Sequence, residues 1–376
     1  MKIGIDTFAC NAGISGVGVY LKQILKRIPP SGALFELFGW DYDRYAFSEA
    51  AEKELEYISC CSVNGYNANT LWHIFKYPEF AARRGFNACF FPAAHRRLPR
   101  KSPCPTVGTV HDMAAYWGTR KTRVHLGAVL RVVMPDSLRR LDRVIAVSNW
   151  VKQELMEAAH VKESRIEVVP NGVDTDLFYP RENNDENVLM ITPFSFKRPY
   201  ILYASRLEYP VKNHVGLIKA FEIFKKRTKF PHRLVFAGSN SIGADKIKSE
   251  AASSVCKNDI FFTGPFPSDS LPELFSAADM IVIPSFYEGF GQGAIEAMAC
   301  GVPVACARAA SLPETAEHAA LYFDPFSAED MADRMYSLST DKDLRKRCRE
   351  AGLERSKLFS WDTCCSRTLQ IIGEME

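Results

Sequence analysis

One rhythm constrains this chain more than any other feature. Short β-branched or aromatic runs alternate with longer amphipathic ones through the whole 376-residue sequence. Strands are predicted at 2–6, 88–91, 106–110, 144–147 and 166–169, with a helix over about 17–27. Ser148 stands where an N-cap belongs, ahead of a helix over 149–159. A polar break, Glu182–Asn187, interrupts the pattern, and Pro193, Lys197 and Pro199 continue it as a loop. The rhythm then restarts. Strands are expected at 200–205, 234–237, 260–262 and 280–283, and helices at 213–226, 244–256, 328–337 and 342–357. Ser270-Leu-Pro-Glu273 reads as a capping box for one more helix. Such β-α-β alternation predicts parallel sheets with helices on both faces. The chain is also too long for one ordinary core. We therefore expect an α/β protein of two doubly wound, Rossmann-like domains facing across a cleft, residues 1–180 and 200–359 joined by a linker at 181–199. A last helix over 360–376 is expected to pack back on the first domain.

Composition narrows the class. Hydrophobic residues make up 47% and charged residues 24%, the balance of a soluble globular protein. No apolar run approaches the roughly 18 residues of a membrane span. The opening MKIGIDTF carries Asp6 inside its apolar patch and reads as a strand, not a signal peptide. The 11 cysteines form no C-x-x-C pair, the doublets Cys60-Cys61 and Cys364-Cys365 being adjacent. Free thiols in a reducing cytosol are expected, with neither a disulfide framework nor a zinc site.

Charge is unevenly spread. Residues 76–143 hold fourteen Lys/Arg against four Asp/Glu, and the rest of the chain is net acidic. His95-Arg96-Arg97, Arg100-Lys101, Arg120-Lys121 and Arg139-Arg140 dominate that segment. It is either a solvated basic face or a surface for an anionic membrane or acceptor. Nucleic acid is not expected, since no nucleic-acid-binding motif accompanies the charge.

Two constellations at predicted strand ends carry chemistry. PSFYEGFGQGAIEAMACGVPV (284–304) sets Glu288 in a loop and Glu296 more than a turn into the next helix. Glycines at 289, 291 and 293 let a ligand approach the backbone, and a helix N-terminus favours an anion. Carboxylates accept hydrogen bonds from vicinal hydroxyls, so phosphate at the glycines with hydroxyls at the glutamates describes a nucleotide sugar. In SRLEYPVKN, Arg206 and Lys212 flank a strand-to-helix loop and suit a diphosphate. Alone, each cation would more often be solvated, and Glu296 could sit on an ordinary helix surface. His111, taken alone, would more often be structural. GISGVG places its glycines as G-x-x-G-x-G and does not make a dinucleotide fingerprint. The Asp-x-Asp triplets at 41–43, 174–176 and 341–343 are common enough to arise by chance.

SRLEYPVKNHVGLIKAF, LVFAGS, FTGPFPSDSLPELFSAADMIVIPSFYEGFGQGAIEAMACGVPVA and ALYFDP occur in that order. Together they resemble the retaining GT-B glycosyltransferases of family four, whose hallmark is Glu, seven residues, Glu. GISGVGVYL, TVHD, AVSNWVKQEL and VVPNGVDTDLF add looser matches in the first half. In detail the likeness is to bacterial transferases, often mannosyltransferases, that build O-antigen and other surface polysaccharides. The resemblance implies that Arg206 and Lys212 hold the donor diphosphate. It implies that Glu288, with backbone N–H groups at Gly289, Phe290 and Gly291, meets the donor sugar, and that Glu296 binds the ribose. His111 would lie near the sugar and its phosphate, and Gly16 and Gly18 in a loop that closes near the diphosphate. Gln292-Gly293 depart from the Leu-Pro common among relatives.

The activity so implied is retaining transfer of a hexose, mannose first, from a GDP- or UDP-sugar to a glycan or lipid-linked acceptor. No metal or other cofactor is expected, and the location is cytoplasmic or peripheral on the inner face of the cell membrane. A nucleotide-sugar epimerase of the same fold would convert donor without acceptor. A non-catalytic nucleotide-sugar-binding protein would bind without turnover.

Overall fold

A computed structural model describes residues 1–29, 32–48, 55–61, 66–96, 98–114, 134–181 and 188–375. The chain forms two compact units, Met1–Gly172 with Trp361–Glu376, and Val173–Ser360.

The first unit is a seven-stranded sheet of β1 (Lys2–Asp6), β2 (Leu34–Trp40), β3 (Glu56–Cys61), β4 (Ala88–Phe91), β5 (Thr106–Val110), β6 (Arg143–Ala146) and β7 (Ile166–Val168). Their spatial order is β3-β2-β1-β4-β5-β6-β7, all pairs parallel. The central strands β4 and β5 are buried along their whole length, as expected of parallel strands covered on both faces. Val17, Leu21 and Ile24 of the Gly16–Lys26 helix pack on Ile3, Ile5 and Phe90, as do Trp361, Ile371 and Ile372 of the Trp361–Gly373 helix. Each large apolar side chain so buried contributes about 1.5–3 kcal/mol.

The second unit repeats the plan. β10 (Tyr200–Ala204), β11 (Arg233–Ala237), β12 (Ile260–Gly264), β13 (Met280–Ile283), β14 (Val304–Ala307) and β15 (Ala320–Phe323) lie in the order β12-β11-β10-β13-β14-β15, again parallel. Strand order reverses between β1 and β4 in one sheet and between β10 and β13 in the other. Doubly wound sheets open a crevice for ligands at that reversal, beyond the carboxyl ends of the strands.

Several expectations need correction. The stretch at 193–199 is not all loop, because β8 (Val188–Ile191) and β9 (Phe194–Lys197) form an antiparallel hairpin. Phe194 and Phe196 anchor it on Phe266. The polar break at Glu182–Asn187 lies outside the described residues. The capping box at Ser270 does not form. The chain enters the Leu271–Ser276 helix through a 3-10 turn, so Ser270 already has helical φ/ψ and its side chain caps nothing. Ser148 does cap, its Oγ accepting from the Val151 N–H at 3.1 Å. β2, β3, β14 and β15 add to the strands that the sequence pattern predicts.

Candidate active site

In the second unit, the two strands that flank the reversal carry the charged residues. β10 runs into the 205–213 loop and then the His214–Thr228 helix. β13 runs through Pro284–Gly291 into the Gln292–Ala299 helix. Lys212, at the end of the first loop, donates to Glu288 Oε1 of the second at 2.7 Å. Both side chains are mostly buried but not sealed, 17% and 19% exposed. Burial depresses the Lys212 ammonium, but the adjacent Glu288 carboxylate outweighs it and holds the group up at about 12.

Glu288 is fixed from behind. Ser285 Oγ donates to the same Oε1 at 2.6 Å and shares a 2.7 Å hydrogen bond with the buried Tyr203 hydroxyl. The Glu288 carbonyl accepts from the Ser311 hydroxyl at 2.8 Å, and the Phe290 carbonyl from Thr315. Oε1 is therefore doubly occupied, while Oε2 takes no bond from a described residue. Lys212 likewise has ammonium hydrogens to spare. The pair can offer an anion two cationic donors and a hydroxyl one carboxylate oxygen.

Asn213, which the sequence reading passed over, positions both loops. It holds a left-handed conformation at φ 51°, and its Oδ1 accepts from the Gly216 N–H, capping the His214–Thr228 helix. Its Nδ2 donates to the Pro284 carbonyl at 3.1 Å and the Pro325 carbonyl at 2.8 Å. One side chain thus ties together the ends of β10, β13 and β15. Asparagine directly ahead of an amphipathic run was the available signal.

Gly291 is the N-cap of the Gln292–Ala299 helix at φ 92°, with a Cβ there falling 3.0 Å from Leu312. Only glycine fits that turn without strain. Gly289 and Phe290 complete the segment, and the Phe290 ring meets Phe359 edge-on. Glu296 lies in the second turn, half-buried, and accepts from Gln292 Nε2 at 3.1 Å. Desolvation raises its carboxyl to about 7, against a smaller opposing effect of Gln292. The departure at Gln292 therefore has a visible consequence, a hydrogen bond one turn along the helix to Glu296. Arg206 precedes Lys212 in the same 205–213 loop. It is 59% exposed and forms an ion pair with Glu208 at 3.1 Å.

The other sequence-predicted residues belong to the first unit. His111 follows β5, and its Nε2 bonds the Pro92 carbonyl at 3.0 Å. A carbonyl only accepts, so Nε2 carries the proton and Nδ1 keeps its lone pair. The Tyr20 ring packs edge-on against it, centroids 4.7 Å apart. Burial, then neighbouring His95, lowers its pKa to about 3, leaving a neutral imidazole at physiological pH. Gly16 opens the Gly16–Lys26 helix with open space where a Cβ would go. Gly18 differs. A Cβ there would lie 2.3 Å from the Cys10 carbonyl, and its N–H is already taken by the Ser15 cap at 3.2 Å. Among the described residues no three His, Cys, Asp or Glu side chains converge as metal ligands do.

Comparison with known proteins places this geometry. Residues 14–177 match the family model for Glycosyltransferase Family 4, and residues 190–355 that for Glycosyl transferases group 1. The O-antigen chain mannosyltransferase B of Escherichia coli is 29% identical over 70% of this chain and 68% of its own length. A D-inositol 3-phosphate glycosyltransferase of Corynebacterium jeikeium is 28% identical over 65% of this chain, which spans 60% of that relative. Among solved structures, Anabaena HepE in complex with UDP-glucose matches with a TM-score of 0.74 at 18% identity, covering 100% of both chains. With one such domain over each half and two parallel Rossmann-like sheets, the chain belongs to the GT-B glycosyltransferases of group 1 and family 4.

Proposed function

We propose that the protein transfers a hexose, with mannose the expected sugar, from a GDP- or UDP-sugar to a hydroxyl of a glycan or lipid-linked acceptor, with retention and in surface-polysaccharide synthesis. The observation that carries this reading is the Lys212–Glu288 pair at the β10/β13 reversal, each partner with capacity left for a ligand. The likeness to an O-antigen mannosyltransferase supports the sugar and the pathway class, and the HepE complex with UDP-glucose supports the donor class.

Breaking the anomeric bond puts negative charge on the departing phosphate. Lys212, Arg206 and the amino end of the Gln292–Ala299 helix stabilise that charge as it forms. Preorganised donors of this kind contribute about 10²–10³-fold each. Glu288 Oε2 accepts from a sugar hydroxyl while Gly289, Phe290 and Gly291 shape the turn beside it. Glu296 takes the ribose diol. His111 serves the donor sugar as a neutral hydrogen-bonding group, and Gly16 and Gly18 belong to the same donor-binding set. With cations and helix dipole in place, no metal or other cofactor is called for. No side chain is assigned as a covalent nucleophile, so the acceptor hydroxyl attacks on the face the phosphate leaves.

In the same reading, the basic segment at 76–143 brings the protein to an anionic membrane from the cytoplasmic side. Arg100, Lys101, Arg139 and Arg140 are exposed, and Arg97, Arg120 and Lys121 lie outside the described residues. Among the described residues no helix is long and apolar enough to cross a bilayer. Binding to anionic vesicles that weakens from low to high salt supports this contact, and binding indifferent to salt removes it.

The test of the activity is incubation with UDP-, GDP- and dTDP-sugars in EDTA, reading released nucleotide and glycosylated acceptor. Turnover requiring an acceptor supports the transferase. Donor conversion without one supports an epimerase, and no turnover or binding with any sugar sinks both.

A further inference from the structure

At the opposite ends of the first sheet's strands from His111 lies a second chemical cluster. Cys89 is the second residue of β4, and Cys104 precedes β5, where the Cys89 N–H donates to the Pro105 carbonyl at 2.9 Å. Their sulfurs lie 3.7 Å apart, in hydrogen-bonding contact. The Ser102 hydroxyl is 3.6 Å from the Cys104 sulfur and 3.1 Å from the Tyr77 hydroxyl. The two thiols are unequal in access. Cys89 is wholly buried, while Cys104 is part-exposed and lines an open cavity of about 500 Å³. Arg100, Lys101 and Arg140 line the same cavity. Asp142 also lines it, but its carboxylate is held by the Thr106 N–H and hydroxyl.

We propose that Cys104 and Cys89 form a thiol-exchange site, an attacking and a resolving cysteine, whose basic cavity admits an anionic low-molecular-weight disulfide. Contact with Cys89 foremost, then the Ser102 and Tyr77 hydroxyls, lowers the Cys104 thiol to about 7 against the effect of burial, whereas burial raises Cys89. The Cys104 thiolate attacks one sulfur of the incoming disulfide, which breaks and releases one thiolate. The Cys89 sulfur then attacks Cys104, its proton passing to the second departing thiolate. Two protein thiols lose two electrons and the small disulfide becomes two thiols. Burial also raises the thiol of the part-buried Cys256. Cys10, Cys300, Cys306, Cys348, Cys364 and Cys365 are buried, and burial raises each of them.

The probe is oxidised glutathione, added at neutral pH to the reduced full-length protein, followed by acid quench, alkylation and peptide mass mapping. The expected product is a Cys89–Cys104 cross-linked peptide formed ahead of modification elsewhere. Cys89→Ser should stop at the mixed disulfide on Cys104, and Cys89→Ala does the same if serine disturbs the strand. Cys104→Ser should yield neither product. Reversing the exposed charges with Arg100→Glu and Lys101→Glu should slow the reaction with glutathione disulfide roughly threefold to tenfold, while sparing a neutral disulfide such as hydroxyethyl disulfide. First modification at another cysteine in the wild type, or a mixed disulfide elsewhere in Cys89→Ser, overturns the proposal.

Discussion

The two units share a sheet order up to one extra strand, yet treat charge at their strand ends in opposite ways. In the second unit, Lys212 and Glu288 meet beside the reversal with hydrogen-bonding capacity to spare. In the first, the groups behind β1 are consumed internally. Asp6 is buried, one carboxylate oxygen accepting from the Phe8 N–H at 2.7 Å and the other bonding His73 at 2.8 Å. His95 accepts from Arg96 at 3.1 Å. Burial, partly offset by Asp112, pushes its imidazole down to about 4. One fold thus hosts a polar cluster that holds itself together and another left open for a ligand. The difference separates residues whose loss should cost stability from residues whose loss should cost activity.

The largest expected effect is at Lys212. Lys212→Ala should lower transferase turnover by about 10²–10³-fold, the range for removing one preorganised donor to developing charge. Because both side chains keep some access to water, the accompanying loss of stability should stay below the roughly 3–5 kcal/mol of breaking a sealed ion pair. A large loss of stability with unchanged turnover would reverse the contrast.

Asp6→Ala is the counterpart. It leaves the Phe8 N–H and His73 buried without their acceptor and should destabilise the protein by about 2–3 kcal/mol, measured by urea unfolding. Activity of the folded fraction should stay near wild type.

Asn213→Ala lies between these extremes. Loss of the cap alone costs about 1–2 kcal/mol, and release of the Pro284 and Pro325 carbonyls loosens the Glu288 loop. Both stability and donor affinity should fall. Wild-type affinity in this variant would show that the Glu288 loop is held by its other bonds.

The smallest effect is a pH dependence. The Glu296 carboxyl, raised to about 7, is protonated in the folded protein between its ordinary pKa of 4.5 and 7. That uptake favours the fold below 4.5 and is lost as pH rises through 7. An ionised carboxylate accepts both ribose hydroxyls, so donor affinity should increase severalfold from pH 6 to 8. Glu296→Gln should flatten the profile, and an unchanged slope would remove Glu296 from ribose binding.

The sequence revealed the second unit's charges better than its supports. Lys212, Glu288 and Glu296 stood out because charge at a strand-to-helix junction is anomalous within a short window. Ser285 was hidden inside an apolar stretch, and its partner Tyr203 looked like any strand aromatic, although they are 82 residues apart and touch. Asp6 and His73 are separated by 67 residues, so neither predicts the other. The Ser270 capping box failed for a related reason, since the turn that preceded it had already set its backbone. Local pattern reports where a ligand could bind. Long-range hydrogen bonds decide how rigidly the binding groups are held.

We propose that the β10/β13 reversal holds the donor diphosphate and sugar. Calorimetric titration of GDP-mannose and UDP-glucose into wild type, Lys212→Ala and Glu288→Gln tests it most directly. Wild type should bind a nucleotide sugar saturably, with affinity weakened at least about tenfold in Lys212→Ala. Glu288→Gln should lose affinity for the sugar nucleotide while retaining that for the free nucleoside diphosphate. Equal affinity in all three proteins would place the donor elsewhere and contradict the account.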